Sequence, residues 1–161
     1  MILLLWLGCA EPPPAPPAAE APAAADPHAM HHGAGSDHMA KMAATRDAMR
    51  AALGEAYDAP VPGLAEADAT AGKALFEAHC VTCHGADGKG AGPGAVGLNP
   101  PPGDLTDRFH ARFYSDAGRV SILRNGSPGT AMAGFAGTFT DTQILDLYAY
   151  VVTFRGDPAT P

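Results

Sequence analysis

The apolar positions of the chain fall into short patterns separated by polar or Gly/Pro-rich stretches. Met39, Met42, Met49 and Leu53 recur on one helical stripe, the pattern of a packing face, and Ser36 or Asp37 can cap that helix. Asp68–His79 reads as a second helix with Asp68 as its cap. Within it Gly72 and Phe76 stand four apart and share a face. A third helix is predicted over Asp116–Asn125, capped by Ser115 and ended at Gly126. The last opens on Thr140-Asp141-Thr142-Gln143, a capping box, and carries Ile144, Leu145, Leu147, Tyr148, Tyr150, Val151, Val152 and Phe154. Gly156 can close it and Pro158 prevents its resumption. A helix this apolar must bury more than one stripe.

The pattern divides the chain into four segments: 1–9, 10–35, 36–63 and 64–161. Residues 1–9 read as the end of a secretory signal, with a short apolar run leading to Leu7-Gly8-Cys9. Residues 10–27 hold 8 Ala and 7 Pro in 18 positions. Proline fixes φ and lacks a donor, so this stretch is expected to be an extended spacer. At ~3.1 Å per residue it reaches on the order of 55 Å. Residues 36–63 form a short helix and a connection. From Leu64 onward come the helical patterns, the Gly-rich turns and most aromatics; this is the folded domain. No internal repeat is present.

Composition narrows the function classes. Ten Lys and Arg against 17 Asp and Glu give a formal net charge of -7, which argues against nucleic acid as a partner. No apolar run approaches the ~20 residues of a membrane span. The load of 19 Gly and 16 Pro predicts many turns. Four His (28, 31, 32 and 38) and four Met (30, 39, 42 and 49) lie between residues 28 and 49. Imidazole and thioether both ligate copper, so this stretch is a candidate copper-handling tract; the competing reading is a polar linker running into a packed helix.

The three cysteines carry the strongest signal. Cys9 stands alone, whereas Cys80 and Cys83 belong to Cys80-Val81-Thr82-Cys83-His84. This is the attachment motif for a c-type haem: two thiols add to the two vinyl groups, and the adjacent His84 is delivered to the iron. A zinc site would need further ligands at suitable spacing, and a thioredoxin-like site would need a βαβ context. Met132, the only Met after residue 49, lies 48 residues past His84 and is the candidate second axial ligand. Its other reading is core filler. His110 is the main competing ligand, and His79 is expected to face solvent. The Gly/Pro-rich loop at 85–103 can fold over a flat macrocycle and offer a carbonyl, from between Pro93 and Pro102, to the Nδ1–H of His84. Arg108, Arg112 and Arg124 could pair with haem propionates or be solvated surface charges.

On these residues the chain resembles the small monohaem c-type cytochromes with His/Met ligation. The resemblance covers roughly residues 66–156. It rests on the helix with Gly72 and Phe76, on Cys80-x-x-Cys83-His84-Gly85, on the Met132 loop Gly126-Ser127-Pro128-Gly129-Thr130-Ala131-Met132-Ala133-Gly134-Phe135, and on the final helix. Ala133 stands where that family commonly has Pro. The resemblance implies an all-α fold of three to four helices around one covalent haem. It implies that Gly72 and Phe76 meet Leu147 and Tyr150 where the terminal helices cross. It also implies haem thioethers at Cys80 and Cys83 and axial ligation of the iron by His84 and Met132. With both axial positions filled, single-electron transfer is the implied activity rather than catalysis, and loss of haem is expected to unfold the domain.

Haem attachment of this kind is made outside the bacterial cytoplasm. Leu7-Gly8-Cys9 resembles the lipobox of bacterial lipoproteins, so Cys9 is expected to be acylated and to tether the chain on the periplasmic side; an ordinary signal segment is the alternative. Redox partners are expected to dock transiently on a monomer, at least one through a basic patch, between a quinol-oxidising complex and a terminal reductase or oxidase. Competing readings are a haem enzyme or sensor with a labile Met132, a copper-handling haem lipoprotein, and an accessory haem subunit of a larger respiratory complex.

Overall fold

The computed structural model describes residues 35–156, with side chains from Met39 onward. The leader, the Ala/Pro-rich spacer and most of the His-rich tract lie outside these residues. Six helices follow in order: α1 Gly35–Leu53, α2 Ala69–His79, α3 Val81–His84, α4 Arg108–Phe113, α5 Asp116–Asn125 and α6 Asp141–Thr153. Single 3-10 turns lie at Gly54–Tyr57 and Pro93–Ala95. Among the described residues there is no strand, only an isolated bridge between Gly126 and Ala133. The all-α expectation holds.

Three of the predicted caps are in place; α1, however, already begins at Gly35, so Ser36 and Asp37 lie within its first turn rather than at its cap. Asp68 accepts hydrogen bonds from Thr70 N and Ala71 N at 2.7 and 3.2 Å. Ser115 accepts from Gly118 N at 3.1 Å. Thr140 and Gln143 exchange side-chain and backbone bonds at 3.2 and 2.9 Å, closing the capping box. The single turn α3 and the helix α4 were not among the predicted elements. For α4 the signal was Asp107, which accepts from Phe109 N at 2.9 Å and His110 N at 3.3 Å.

α2 and α6 cross at Gly72. A Cβ built there would lie 1.8 Å from the Asp146 carbonyl oxygen and 3.0 Å from Leu147 N. One turn on, Phe76 is 1% exposed, with its ring 5.4 Å from Tyr150 and 5.1 Å from Phe154. The Asp146 carboxylate accepts from Asp68 N at 2.8 Å, locking the start of α2 to α6 across the same contact. The crossing matches expectation at Phe76–Tyr150 and centres on the Asp146–Leu147 backbone. α6 buries Ile144, Leu145, Leu147, Tyr148 and Val152, residues that surround the helix rather than line one stripe.

α1 and the turn after it pack on α5. Tyr57 is buried, its ring lies against Gly118, and its hydroxyl accepts from Ser115 N at 3.2 Å. Met42 is buried, and Met39, Met49 and Leu53 are half-buried, as a packing stripe requires.

The crossing leaves no room for a side chain at residue 72. Gly72→Ala is expected to destabilise the holoprotein by about 3 kcal/mol, because backbone rather than a flexible side chain must move. Guanidinium unfolding followed by far-ultraviolet circular dichroism measures it.

Candidate functional site: the haem pocket

Cys80 ends α2 and begins α3 at the same residue. His84 N donates to Cys80 O at 2.8 Å, so one helical turn carries both cysteines and the histidine. The loop after Gly85 folds back on this turn. Gly90 N donates to His84 O at 2.8 Å, Gly92 N to Cys83 O at 3.1 Å, and Leu105 N to Gly88 O at 2.8 Å. A Cβ at Gly92 would lie 2.4 Å from Thr82 O, and one at Gly90 would lie 2.3 Å from Pro102 O. Both positions require glycine because backbone meets backbone there.

His84 Nδ1 donates to the Gly103 carbonyl at 3.3 Å. That carbonyl lies one residue beyond the stretch expected to supply it: the three prolines carry the chain past the imidazole, and Gly103 follows them. With the proton held on Nδ1, Nε2 keeps its lone pair for a metal. Burial holds the His84 imidazole below its ordinary pKa, and the bond to Gly103 partly offsets this. The neutral form, the one that ligates iron, is therefore favoured. Burial, reinforced by Cys83, pushes the Cys80 thiol up to about 11.

Cys80, Cys83, His84 and Met132 all line one cavity of about 560 Å³. The Met132 segment is pinned to the end of α5. Ser127 N donates to Met132 O at 3.0 Å, Met132 N donates to Thr130 Oγ1 at 3.1 Å, and Phe135 N donates to Leu123 O at 2.9 Å. His110, the competing ligand, also lines the cavity, with Nδ1 2.5 Å from Asp107 Oδ2. His79 is exposed at the rim, its ring edge-on to Phe139 at 5.0 Å.

The arginines differ from expectation. Arg124 pairs with Asp141 at 3.0 Å, and neither it nor Arg108 nor Arg112 lines the cavity. Arg119 and Arg155 do. Arg119 is held over the Tyr114 ring at 4.8 Å and donates to the His110 carbonyl, and its buried Nε has no hydrogen-bond partner among the described residues. Burial lowers its pKa. Arg155 donates to Ala111 O at 3.3 Å and to the Tyr148 hydroxyl at 3.2 Å, and that hydroxyl donates to Asp116 at 2.5 Å. Burial, then the bond to Asp116, raises the Tyr148 pKa. Both arginines stand beside residues of helical core faces, Arg119 between Gly118 and Val120 and Arg155 just after α6, but no local pattern in the sequence sets them apart from surface cations.

A cavity lined by Leu98, Leu105, Ile122 and Phe135, with a buried guanidinium nitrogen unsatisfied at its wall, fits a flat apolar group that is anionic at one edge. The cytochrome c family model matches residues 69–155, more than half of the chain. The chain belongs to the cytochrome c family. Membership implies a covalently bound haem c, and a cytochrome c domain is an electron-transfer module. A curated relative, the dihydro-haem d1 dehydrogenase of Pseudomonas aeruginosa, is 36% identical over 109 residues, which is 68% of this chain and 20% of the relative. This cytochrome thus spans about a fifth of that relative's length. A solved reducing HAO-like protein complex from Kuenenia stuttgartiensis is similar with a TM-score of 0.46 and 24% identity, over 60% of this chain and 46% of that one.

The copper expectation falls mainly on residues outside the described ones. Of its members, Met42 is buried and lines the haem cavity. Among the described residues no group of three or more His, Cys, Asp or Glu side chains is placed to hold a metal ion. Among them, too, no helix is long and apolar enough to cross a membrane.

Burial raises the Asp107 carboxyl, but the bonds and charge of His110 outweigh it, so its pKa sits below the ordinary 3.8. A depressed carboxyl stabilises the fold above its unfolded value and loses that contribution as pH falls through the folded one. Asn keeps the cap but not the charge. The stability advantage of wild type over Asp107→Asn is therefore expected to shrink as pH drops below about 4. Urea midpoints of both holoproteins between pH 7 and pH 3 measure it.

Proposed function

We propose that this cytochrome is a single-electron carrier whose haem is attached through Cys80 and Cys83 and whose iron is ligated by His84 and Met132. The observation that carries the reading is that these four residues, spread over 53 positions of sequence, line one cavity. Bound there, the haem supplies a one-electron Fe(III)/Fe(II) couple. The chain's own residues do the rest. Gly103 holds the His84 ring by its Nδ1–H, and burial keeps that imidazole neutral. The Met132 thioether favours the reduced iron and raises the potential. Arg119 and Arg155 line the cavity and are the cations that would meet the propionates. Two filled axial positions leave no place for a substrate, so the activity is electron exchange.

In this reading the protein works on the periplasmic side of the membrane, tethered by an acylated Cys9, as a monomer that docks transiently. It passes electrons to a terminal reductase or oxidase. The net charge of -7 favours a partner with a basic docking patch. One observation favours a second reading, an accessory haem module of a larger redox enzyme: the segment matched in the relative is a small part of a much longer chain. Co-purification from the native host separates the two.

Protein matured in a haem-loading periplasm is expected to be low-spin in both oxidation states. Met132→Ala is expected to lose the low-spin ferric spectrum and to shift the ferric/ferrous equilibrium at least tenfold toward ferric, about 59 mV lower for one electron. A colourless wild type, or a Met132→Ala variant with an unaltered spectrum and midpoint, overturns the reading.

A further inference from the structure

We infer that α1, which lies before the family-matched segment, is a cover for the haem pocket that acts through Met42 and raises the potential of the bound haem. This rests on the carrier reading above. The family match begins at residue 69, whereas α1 ends at Leu53. Yet Met42, in the middle of α1, is 9% exposed and lines the cavity. Every other described residue of the lining lies at Phe76 or beyond.

Three contacts hold α1 in this position. The Arg46 guanidinium stacks over Phe113 at 4.9 Å. The Arg50 guanidinium stacks over Tyr57 at 4.9 Å and reaches Asp58 at 3.3 Å. Tyr57 is itself anchored to α5 through Ser115 N. All three direct α1 to the corner between α4 and α5. That corner carries His110, Tyr114 and Arg119, the polar wall of the cavity. An uncovered wall there would open the haem to water at the point where the buried cation sits. Met42 places an apolar, conformationally adaptable thioether in that opening instead.

The effect on potential follows from charge. The ferric centre carries one more positive charge than the ferrous one. Water stabilises the more charged state, so excluding water favours the reduced iron and raises the potential. Most helical stability in a folded protein comes from packing of one face, so α1 is held in place by its dock. Loosening the dock and shortening the Met42 side chain are expected to act in the same direction.

The test uses full-chain holoprotein and spectroelectrochemical titration. Met42→Ala is expected to move the ferric/ferrous ratio at a fixed potential about tenfold toward ferric, about 59 mV for one electron. Its low-spin spectrum is expected to be retained, because Met132 remains. Met42→Leu, which keeps the apolar bulk without the sulfur, is expected to stay within about twofold of wild type. Arg46→Ala, which touches Phe113 and not the cavity, is expected to shift the ratio in the same direction by a smaller factor. An unchanged midpoint in Met42→Ala overturns the cover. So does loss of the low-spin spectrum in both Met42→Ala and Met42→Leu, which would make Met42 an iron ligand. A colourless wild type would instead sink the carrier reading on which the cover rests.

Discussion

The missing side chain at Gly72 sets the geometry of everything around the haem pocket. Because nothing projects there, the α2 backbone can settle onto the Asp146 carbonyl of α6. Two further contacts then fall into register on either side, Asp68 N to the Asp146 carboxylate and Phe76 to Tyr150. Cys80 lies one turn beyond Phe76, at the end of the helix so positioned. The place and direction of the attachment turn are thus inherited from a helix crossing whose closest backbone contact, Gly72 on Asp146, lies outside the cavity lining. Asp146 is a buried polar group, which would be costly alone, but its partner is a helix N-terminus that supplies an unpaired N–H.

The opposite wall of the pocket is built on different physics. There, Arg155, Tyr148 and the exposed Asp116 form a chain of polar contacts, and Arg119 lies beside it over the Tyr114 ring, donating to the His110 carbonyl. Burial disfavours the charge on Arg119, and the nearby tyrosines Tyr148 and Tyr114, the latter with its ring under the guanidinium, only partly compensate. A network of this kind is stable when every member is satisfied and costly when one is not. The buried Arg119 Nε has no hydrogen-bond partner among the described residues, a donor that an anionic group at the cavity edge would satisfy. A haem bound there would couple folding to cofactor loading, because its apolar plate would fill the cavity and its carboxylates would offset the charge of this wall.

What the sequence disclosed and what it hid divide along the range of the interactions. The caps at Asp68, Ser115 and Thr140 act within three or four residues, so they are visible in a local window. So is Cys80-x-x-Cys83-His84, whose chemistry needs only one helical turn. Gly72 and Phe76 were legible because helix periodicity places them on one face. α4 is six residues long and carries a mixed pattern, too short for periodicity to emerge. Arg119 and Arg155 were hidden for another reason: a charged residue is read as surface unless its surroundings in three dimensions are known. The orienting carbonyl was placed one residue short because its position depends on the path of the loop through three successive prolines. Met42 was correctly read as a packing residue, but its partner lies across the fold, beyond any local pattern.

The close approach of loop and turn fixes the side of the pocket that faces His84 through backbone rather than side chains. Between Gly85 and Gly103 the loop meets the attachment turn backbone to backbone at Gly92 against Thr82, and meets itself at Gly90 against Pro102. Such contacts fix the carbonyl that faces His84 to within the tolerance of a hydrogen bond, yet they demand nothing of neighbouring side chains beyond room. Val96, in the same loop, is 88% exposed. The loop can therefore vary in its outward residues while keeping the Gly103 carbonyl against His84 Nδ1. Orientation of the imidazole is carried by the inner, backbone side of the segment, so residues on its exposed side can change without disturbing the bond that fixes the ring.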